Sequence, residues 1–266
     1  MNDRAETWQI NGLRLMRARY VRHAFKPHAH DYYVIGLIEA GVQSFDHGST
    51  KHITTPGKLI IINPGEVHTG EAAIPTGFAY RALYPSVGLM ETATREFDPD
   101  AAAKRLPSGT LEVPQLYSQL LALHRTSEHE PDSLALETAF RAFFHTLMMR
   151  VGYRPFTTEN THPHPAVSLA RDYIEANYAQ PITLTDLATH AAITPYHLAR
   201  TFKRQLGVPP HKYLENVRIH HAERLLRQGI PISDVAYATG FSSQPHLTRT
   251  FREMMGITPG QYRKNL

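Results

Sequence analysis

The sequence predicts a multi-domain α+β fold: an N-terminal β-barrel or jelly roll, a central helical segment, and a C-terminal all-α domain of two helix-turn-helix units joined by a long helix. Three observations predict it. The first 110 residues carry short β-branched and aromatic runs cut by turn residues, the next 40 carry apolar residues at helical spacing, and a stretch near the C-terminus occurs twice.

The β-domain is placed at residues 1–110. Tyr33-Val-Ile-Gly-Leu-Ile, Lys58-Leu-Ile-Ile-Ile-Asn and Phe78-Ala-Tyr-Arg-Ala-Leu-Tyr read as strands, separated by Gly41, His47-Gly48-Ser49, Pro56-Gly57, Pro64-Gly65 and Pro75. Barrels of such strands commonly enclose one small ligand. A helical segment follows at 111–152, with Leu116, Leu120 and Leu123 on one helix and Leu136, Phe140, Phe143, Phe144, Leu147 and Met148 on the next; Ser127-Glu-His-Glu-Pro-Asp breaks them apart. The second helix is apolar around much of its girth, so it must bury against its partner helix, the barrel or another subunit. Residues 153–165, with three prolines and three threonines, read as a flexible linker to a domain at 166–266.

In that last domain His197-Leu198-x-Arg200-Thr201-Phe202, Gly207, Pro210 and Tyr213 return as His246-Leu247-x-Arg249-Thr250-Phe251, Gly256, Pro259 and Tyr262. Eight of the 17 positions from 197 to 213 recur in register, which marks a duplicated supersecondary unit. In the first copy Thr183-x-x-Asp186 is a capping pattern ahead of Leu184, Leu187, Ala188 and Ala191. Thr194-Pro195 then starts a second helix, whose Leu198 and Phe202 face inward while Tyr196, Ala199, Arg200, Lys203 and Arg204 stay outside. The second copy has Val235 and Ala236, a turn at Gly240, and Ser242-Ser243-Gln244 leading into Leu247 and Phe251. A helix from Pro210 to Arg227 would join them, with Leu214, Val217, Ala222, Leu225 and Leu226 toward the core. Phe202, Phe251, Tyr213 and Tyr262 are assigned to the core as well. Charge follows the same division: residues 165–266 hold 12 Lys and Arg against 7 Asp and Glu, whereas residues 1–164 hold 16 against 17. A basic domain beside a near-neutral one points to a polyanion partner for the basic part.

These motifs, above all Ile232-Ser-Asp-Val-Ala through Gly240-Phe241-x-Ser243-Gln244-x-His246-Leu247-x-Arg249 to Thr258-Pro259-x-x-Tyr262-Arg263, resemble the signature of the AraC/XylS family of bacterial transcription regulators. The resemblance implies two helix-turn-helix units entering successive major grooves on one face of double-stranded DNA, about 34 Å apart. Arg200 and Arg249 hold matching positions and suit guanine or phosphate; Tyr196, Gln244 and His246 are candidate base readers. Ser242 and Ser243 suit phosphate at a helix N-terminus, and Lys203, Arg204 and His197 complete the candidate DNA-binding set. For His197 and His246 a packed, hydrogen-bonded histidine is an equal alternative. The resemblance further implies a cytoplasmic homodimer paired through the middle helices, RNA polymerase as a partner, and activation rather than repression.

The segment from Pro27-His28-Ala-His30 to Asn63-Pro64-Gly65-Glu66-Val67-His68 resembles the cupin-like arm of sugar-sensing members of this family. His28, His30, His68 and Arg81 are the candidate ligand-binding residues. His28 and His30 on one strand would share a face, and His68 could complete a facial metal set. Metal-binding cupins usually add a Glu four or five residues after the second His, however, and here Val34 and Ile35 hold those positions, so no metal or other cofactor is assigned. Arg81 interrupts an apolar strand and would be costly to bury without an anion, a carboxylate or a ligand. The absence of cysteine excludes thiolate zinc sites, thiol nucleophiles and disulfides. No phosphate-binding glycine loop, nucleophile elbow, membrane span or export leader is present, so no catalytic residue is assigned. The reading taken is a ligand-responsive transcription regulator. Its rivals are a metal-dependent cupin enzyme fused to a DNA-targeting module, and a regulator governed by a partner protein with a filled barrel.

Overall fold

A computed structural model describes residues 3–10, 12–95, 104–129, 134–151, 154–155 and 164–264. The chain forms two compact units, residues 1–24 with 31–157 and residues 25–30 with 158–266. Most of the expected linker at 153–165, and the part of the helix break from 130 to 132, lie outside the described residues.

The chain opens with β1 (Arg4–Ile10) and β2 (Leu13–Tyr20); β3 (Phe25–His28) is grouped with the second unit. The first unit continues through β4 (Val34–Gly41), β5 (Gln43–His47), β6 (Thr50–Thr54), β7 (Leu59–Ile62), β8 (His68–Ala72) and β9 (Phe78–Tyr84). After α1 (Val87–Arg95) come β10 (Lys104–Arg105), β11 (Gly109–Leu111), α2 (Pro114–His129), α3 (Leu134–Val151) and β12 (Arg154–Pro155). The main sheet runs β1-β2-β9-β4-β7-β11 and is antiparallel throughout. Strand β5 pairs antiparallel with both β6 and β8.

Side chains alternate between the faces of a strand, so the register decides what each face buries. Leu13, Leu15, Ile35, Leu37, Leu59, Ile61 and Leu83 share one face and pack with Leu116, Leu120 and Leu123 of α2 and Phe143, Phe144 and Leu147 of α3. The opposite, inner face carries Met16, Ala18, Tyr20, Val34, Ile60, Ile62, Phe78, Tyr80 and Ala82, which are buried too. With both faces covered, these strands read as continuous apolar runs instead of alternating ones. Gly36 leaves room for an aromatic ring on the inner face, because a Cβ there would stand 2.5 Å from Tyr80 Cε2.

The second unit comprises α4 (Pro165–Asn177), α5 (Leu184–His190), α6 (Pro195–Leu206), α7 (Pro210–Arg227), α8 (Ile232–Ala238), α9 (Gln244–Met255) and α10 (Pro259–Lys264). Thr183 and Asp186 close the expected capping box on α5, and Leu187 and Ala188 are buried; Leu184, expected inside, is 39% exposed because the cap turns the first residue of the helix outward. The first helix-turn-helix buries Val167, Ala170 and Ile174 of α4 against Leu187, Ala188, Leu198, Phe202, Leu214 and Val217. In the second, Ile219, Ala222 and Leu226 of α7 are buried, as are Val235, Ala236, Leu247, Phe251 and Tyr262, while Leu225 is half-buried. Tyr213 is only half-buried: its hydroxyl donates to Glu175 Oε1 at 2.8 Å, so the ring packs on Phe202 with its polar tip outside the core.

The long helix α7 is shared by both halves, and Arg218 on it fixes them to one another. Its guanidinium donates to the carbonyls of Tyr178 and Gln180, at 2.8 and 2.9 Å, just after α4. At the same place Gly240 has φ +76, and a Cβ on it would lie 2.7 Å from the Ala179 carbonyl oxygen. Two constraints therefore require glycine, the left-handed backbone and the close approach. Gly240→Ala is expected to destabilise the helical unit by about 1–3 kcal/mol, read as a lower denaturant midpoint by circular dichroism at 222 nm, with the Trp8 fluorescence transition of the first unit unchanged. Equal midpoints for variant and parent would refute the constraint.

Candidate functional site

The helices α6 and α9 are built the same way. Thr194 and Ser243 are their N-caps, each accepting the backbone N–H three residues on, of His197 and His246, at 3.3 Å. Pro stands in the first turn of both, and Gly207 and Gly256 end them in left-handed conformation with φ 75 and 74. Within each, two anchors one turn apart are fully buried: Leu198 with Phe202, and Leu247 with Phe251. The opposite face is thereby directed outward. On α6 it exposes Tyr196, His197, Arg200, Lys203 and Arg204, with Tyr196 76% exposed. On α9 it exposes Gln244, Pro245, Arg249 and Arg252.

The copies differ in their first turns. His197 is exposed, whereas His246 is half-buried with its ring edge-on to Phe241 at 5.2 Å and its Nδ1 3.1 Å from Ser242 Oγ. Ser243 already accepts the cap hydrogen bond, and Ser242, exposed, orients the histidine. Two exposed residues were left out of the candidate DNA-binding set. Arg252 is the counterpart of Lys203, a match available from the repeat itself; Tyr237, 70% exposed near the end of α8, had no such signal. The counterpart of Arg204 is Glu253, whose Oε2 lies 3.0 Å from Lys26 Nζ. The second recognition helix is therefore the less basic of the pair.

The candidate ligand residues come from both units. His28 and His30, both buried, lie in the segment grouped with the second unit; His28 ends β3, His30 lies beyond the strand, and Lys26 O is 2.8 Å from His28 Nδ1. His68 opens β8 of the first unit, half-buried, with its Nδ1 3.0 Å from Glu66 O. Arg81 is 5% exposed and meets two protein carboxylates, Glu39 at 2.7 Å and Glu128 of α2. In register it stands across from Arg17 and Leu37, on the face that packs against the helices.

Comparison with known proteins gives this geometry a family. Residues 11–144 match the AraC-like ligand binding domain, and residues 187–265 match a helix-turn-helix domain. The uncharacterized HTH-type transcriptional regulator YbfI of Bacillus subtilis (strain 168) is 31% identical over 247 residues, covering 92% of this chain and 90% of its own. The chain belongs to the AraC family. The HTH-type transcriptional activator RhaS of Yersinia pestis (strain Pestoides F) is 23% identical over 85% of this chain and 84% of its own. ToxT of Vibrio cholerae shares the fold, with a TM-score of 0.57 at 12% identity over 100% of this chain and 98% of its own. This AraC-family chain is accordingly a transcription regulator with an N-terminal ligand-binding domain and a C-terminal helix-turn-helix DNA-binding domain. Among the described residues no helix is long and apolar enough to cross a membrane.

In the ligand-binding domain, helix α2 is held to the main sheet by charge as well as by apolar packing. Glu128 takes Arg81 and, at 3.1 Å, Arg17, which also reaches Glu6 at 2.7 Å. The exposed members of this network contribute little, since surface pairs are worth about 0–1 kcal/mol; the nearly buried Arg81 is the costly one to leave unpaired. Beside it, Trp8 Nε1 donates to Ser127 Oγ at 3.2 Å and the indole meets His124 edge to face at 5.6 Å. Burial, aided by the charge of Arg81, lowers the His124 pKa to about 3. The folded state thus holds this imidazole neutral where the unfolded chain takes up a proton, so its contribution is complete above about pH 6.5 and fades as pH falls toward 3. We expect His124→Phe to flatten the acid limb of the stability profile, which otherwise falls by up to ~1.4 kcal/mol per pH unit from this group, measured by Trp8 fluorescence in urea at pH 7, 6 and 5. An acid limb of unchanged slope would show that His124 titrates normally.

Proposed function

We propose that this regulator reads one asymmetric double-stranded DNA site with α6 and α9 in adjacent major grooves, and that a small molecule in its β-domain sets the arrangement of a homodimer. The observation that carries the reading is the matched presentation of Arg200 and Arg249, each exposed and each midway along the chain between the two members of a buried anchor pair, hence on the opposite face of its helix. Each planar guanidinium can bond two acceptors of guanine. Tyr196, His197, Gln244 and His246 lie beside them in the first turns, and Lys203, Arg204, Ser242 and Ser243 serve the phosphates, with Arg252 added as the partner of Lys203. The chain acts in the cytoplasm as an activator engaging RNA polymerase, with domains at 1–110, 111–152 and 166–266, and neither a metal nor a catalytic step is assigned to it. Ligand control requires different effector affinities for two arrangements, by about 1–3 kcal/mol.

Fluorescence anisotropy on a DNA selected from a random library tests the DNA reading. Arg200→Ala and Arg249→Ala should each cost about 1–3 kcal/mol and relax preference at one base position. Lys203→Ala should weaken binding uniformly and lower the salt slope by about one. Unchanged affinity in both arginine variants would sink the reading.

The dimer rests on α3. Its Ala135, Thr138, Ala142, His145 and Met149 are exposed at alternating spacings of three and four, the spacing of a helical seam, and Met149 is 71% exposed. Ala142→Glu should convert a sedimenting dimer into a monomer with the far-UV spectrum preserved; a dimer that persists places the contact elsewhere.

A further inference from the structure

We propose that Lys26, a residue outside the helix-turn-helix match, positions Arg249 for base reading by occupying the carboxylate of Glu253. The inference rests on the DNA-reading role of α9 and adds a specificity-determining residue to it. It begins at the one position from 197 to 213 where the repeat reverses its charge. Helix α6 presents Arg200, Lys203 and Arg204 and contains no acid, whereas α9 presents Arg249 and Arg252 with Glu253 in the place of Arg204. An acid there works against DNA binding in two ways. Residues four apart are neighbours on a helix, so the Glu253 carboxylate can turn to the Arg249 guanidinium and take the donors that guanine would otherwise accept. Left bare, it repels the phosphates that the exposed face has to approach.

The carboxylate is engaged elsewhere. Glu253 Oε2 lies 3.0 Å from Lys26 Nζ, and the Arg249 side chain has no ion pair or hydrogen bond among the described residues. Lys26 is carried there by β3, which packs on α7 and α9 within the helical unit. A buried anchor fixes the segment: Asn216 of α7, 4% exposed, accepts the Ala29 N–H at 3.2 Å and donates to the Lys212 carbonyl at 3.2 Å when its amide is turned to give both ends a partner. A buried amide is costly to leave unbonded, so the place of the segment on α7 is well determined. The Lys26–Glu253 pair is itself exposed and weak, and an i,i+4 pair on a helix is weaker still. A cation held at 3.0 Å is therefore enough to decide which way the carboxylate turns. Strand β3 flanks the reading face without covering it, since Gln244, Arg249 and Arg252 are exposed with the strand in place. The first copy needs no such cation, because Arg204 already has the sign that phosphates attract.

The test is a double-mutant cycle on the full chain, comparing the parent, Lys26→Met, Glu253→Gln and the double variant, with Arg249→Ala as the reference. Binding is read by fluorescence anisotropy at roughly 50 mM salt, on the duplex selected by the parent and on the same duplex with each base pair substituted in turn. The Lys26 side chain is 61% exposed, so methionine there leaves the core intact. Lys26→Met should weaken binding roughly three- to fivefold and relax preference at the base pair where Arg249→Ala relaxes it. Adding Glu253→Gln should restore that preference and recover at least half of the lost affinity. A cost of Lys26→Met that is the same in the parent and in the Glu253→Gln background shows Lys26 acting on phosphate directly and overturns the proposal. Unchanged base preference in Lys26→Met, beside a preference that Arg249→Ala does relax, overturns the role of Lys26 and leaves the reading of α9 standing. An Arg249→Ala variant that relaxes no position overturns both.

Discussion

The burial of two apolar side chains one turn apart on each recognition helix is the constraint on which the DNA-binding unit depends. Leu198 with Phe202 and Leu247 with Phe251 lock the rotation of α6 and α9, and rotation decides which residues face outward. An arginine three or four residues from its neighbours on the open face is useful only if the helix cannot turn about its own axis. The caps add precision at the ends: Thr194 and Ser243 define where each helix starts, and a left-handed glycine defines where it stops. Arg218 and Gly240 then tie the two helix-turn-helix halves together through the carbonyls after α4, so the spacing of the two reading heads is set by one packed body.

The β-domain obeys a different rule. Its main sheet is buried on both faces, against α2 and α3 on one side and around Tyr20 and Tyr80 on the other. One-residue parity therefore separates two environments that look alike in composition. On the helix side charges are matched within the protein, as Arg81 is by Glu39 and Glu128. On the inner side the cation is cradled by aromatic rings, as Arg14 is by Tyr32 and Tyr84. A charge in the first setting secures a helix to a sheet.

In the same unit the sheet is packed, through α2, against the helix that carries the exposed stripe. Helix α2 carries Leu116, Leu120 and Leu123 against the sheet and packs along α3, whose far face holds the exposed seam. A change on the sheet therefore has a short physical route to the face that would meet a second copy, through side chains already in contact.

Much of this was legible in the sequence. The duplication gave the two helix-turn-helix units, the Thr-x-x-Asp and Thr-Pro patterns gave helix starts, and the 3.6-residue recurrence gave Leu198, Phe202, Leu247 and Phe251 as core, because each of these signals is local and repeats in register. Lys203 and Arg252 correspond through the same register. That Arg81 lies on the helix-packed face of the sheet and Arg14 on the opposite one was decided only by tertiary structure. Alternation tells which residues of a strand share a face, yet when both faces are apolar no contrast in polarity says which one meets the helices. The engagement of His246 by Ser242 and Phe241, against the open position of His197, comes instead from neighbours four and five residues away along the chain, at positions where the first copy has Ile193 and Ala192. Sequence thus determined the periodicities and the ends of the elements, which depend on near neighbours along the chain; tertiary structure determined what each face confronts, since that depends on residues brought together from distant parts of it.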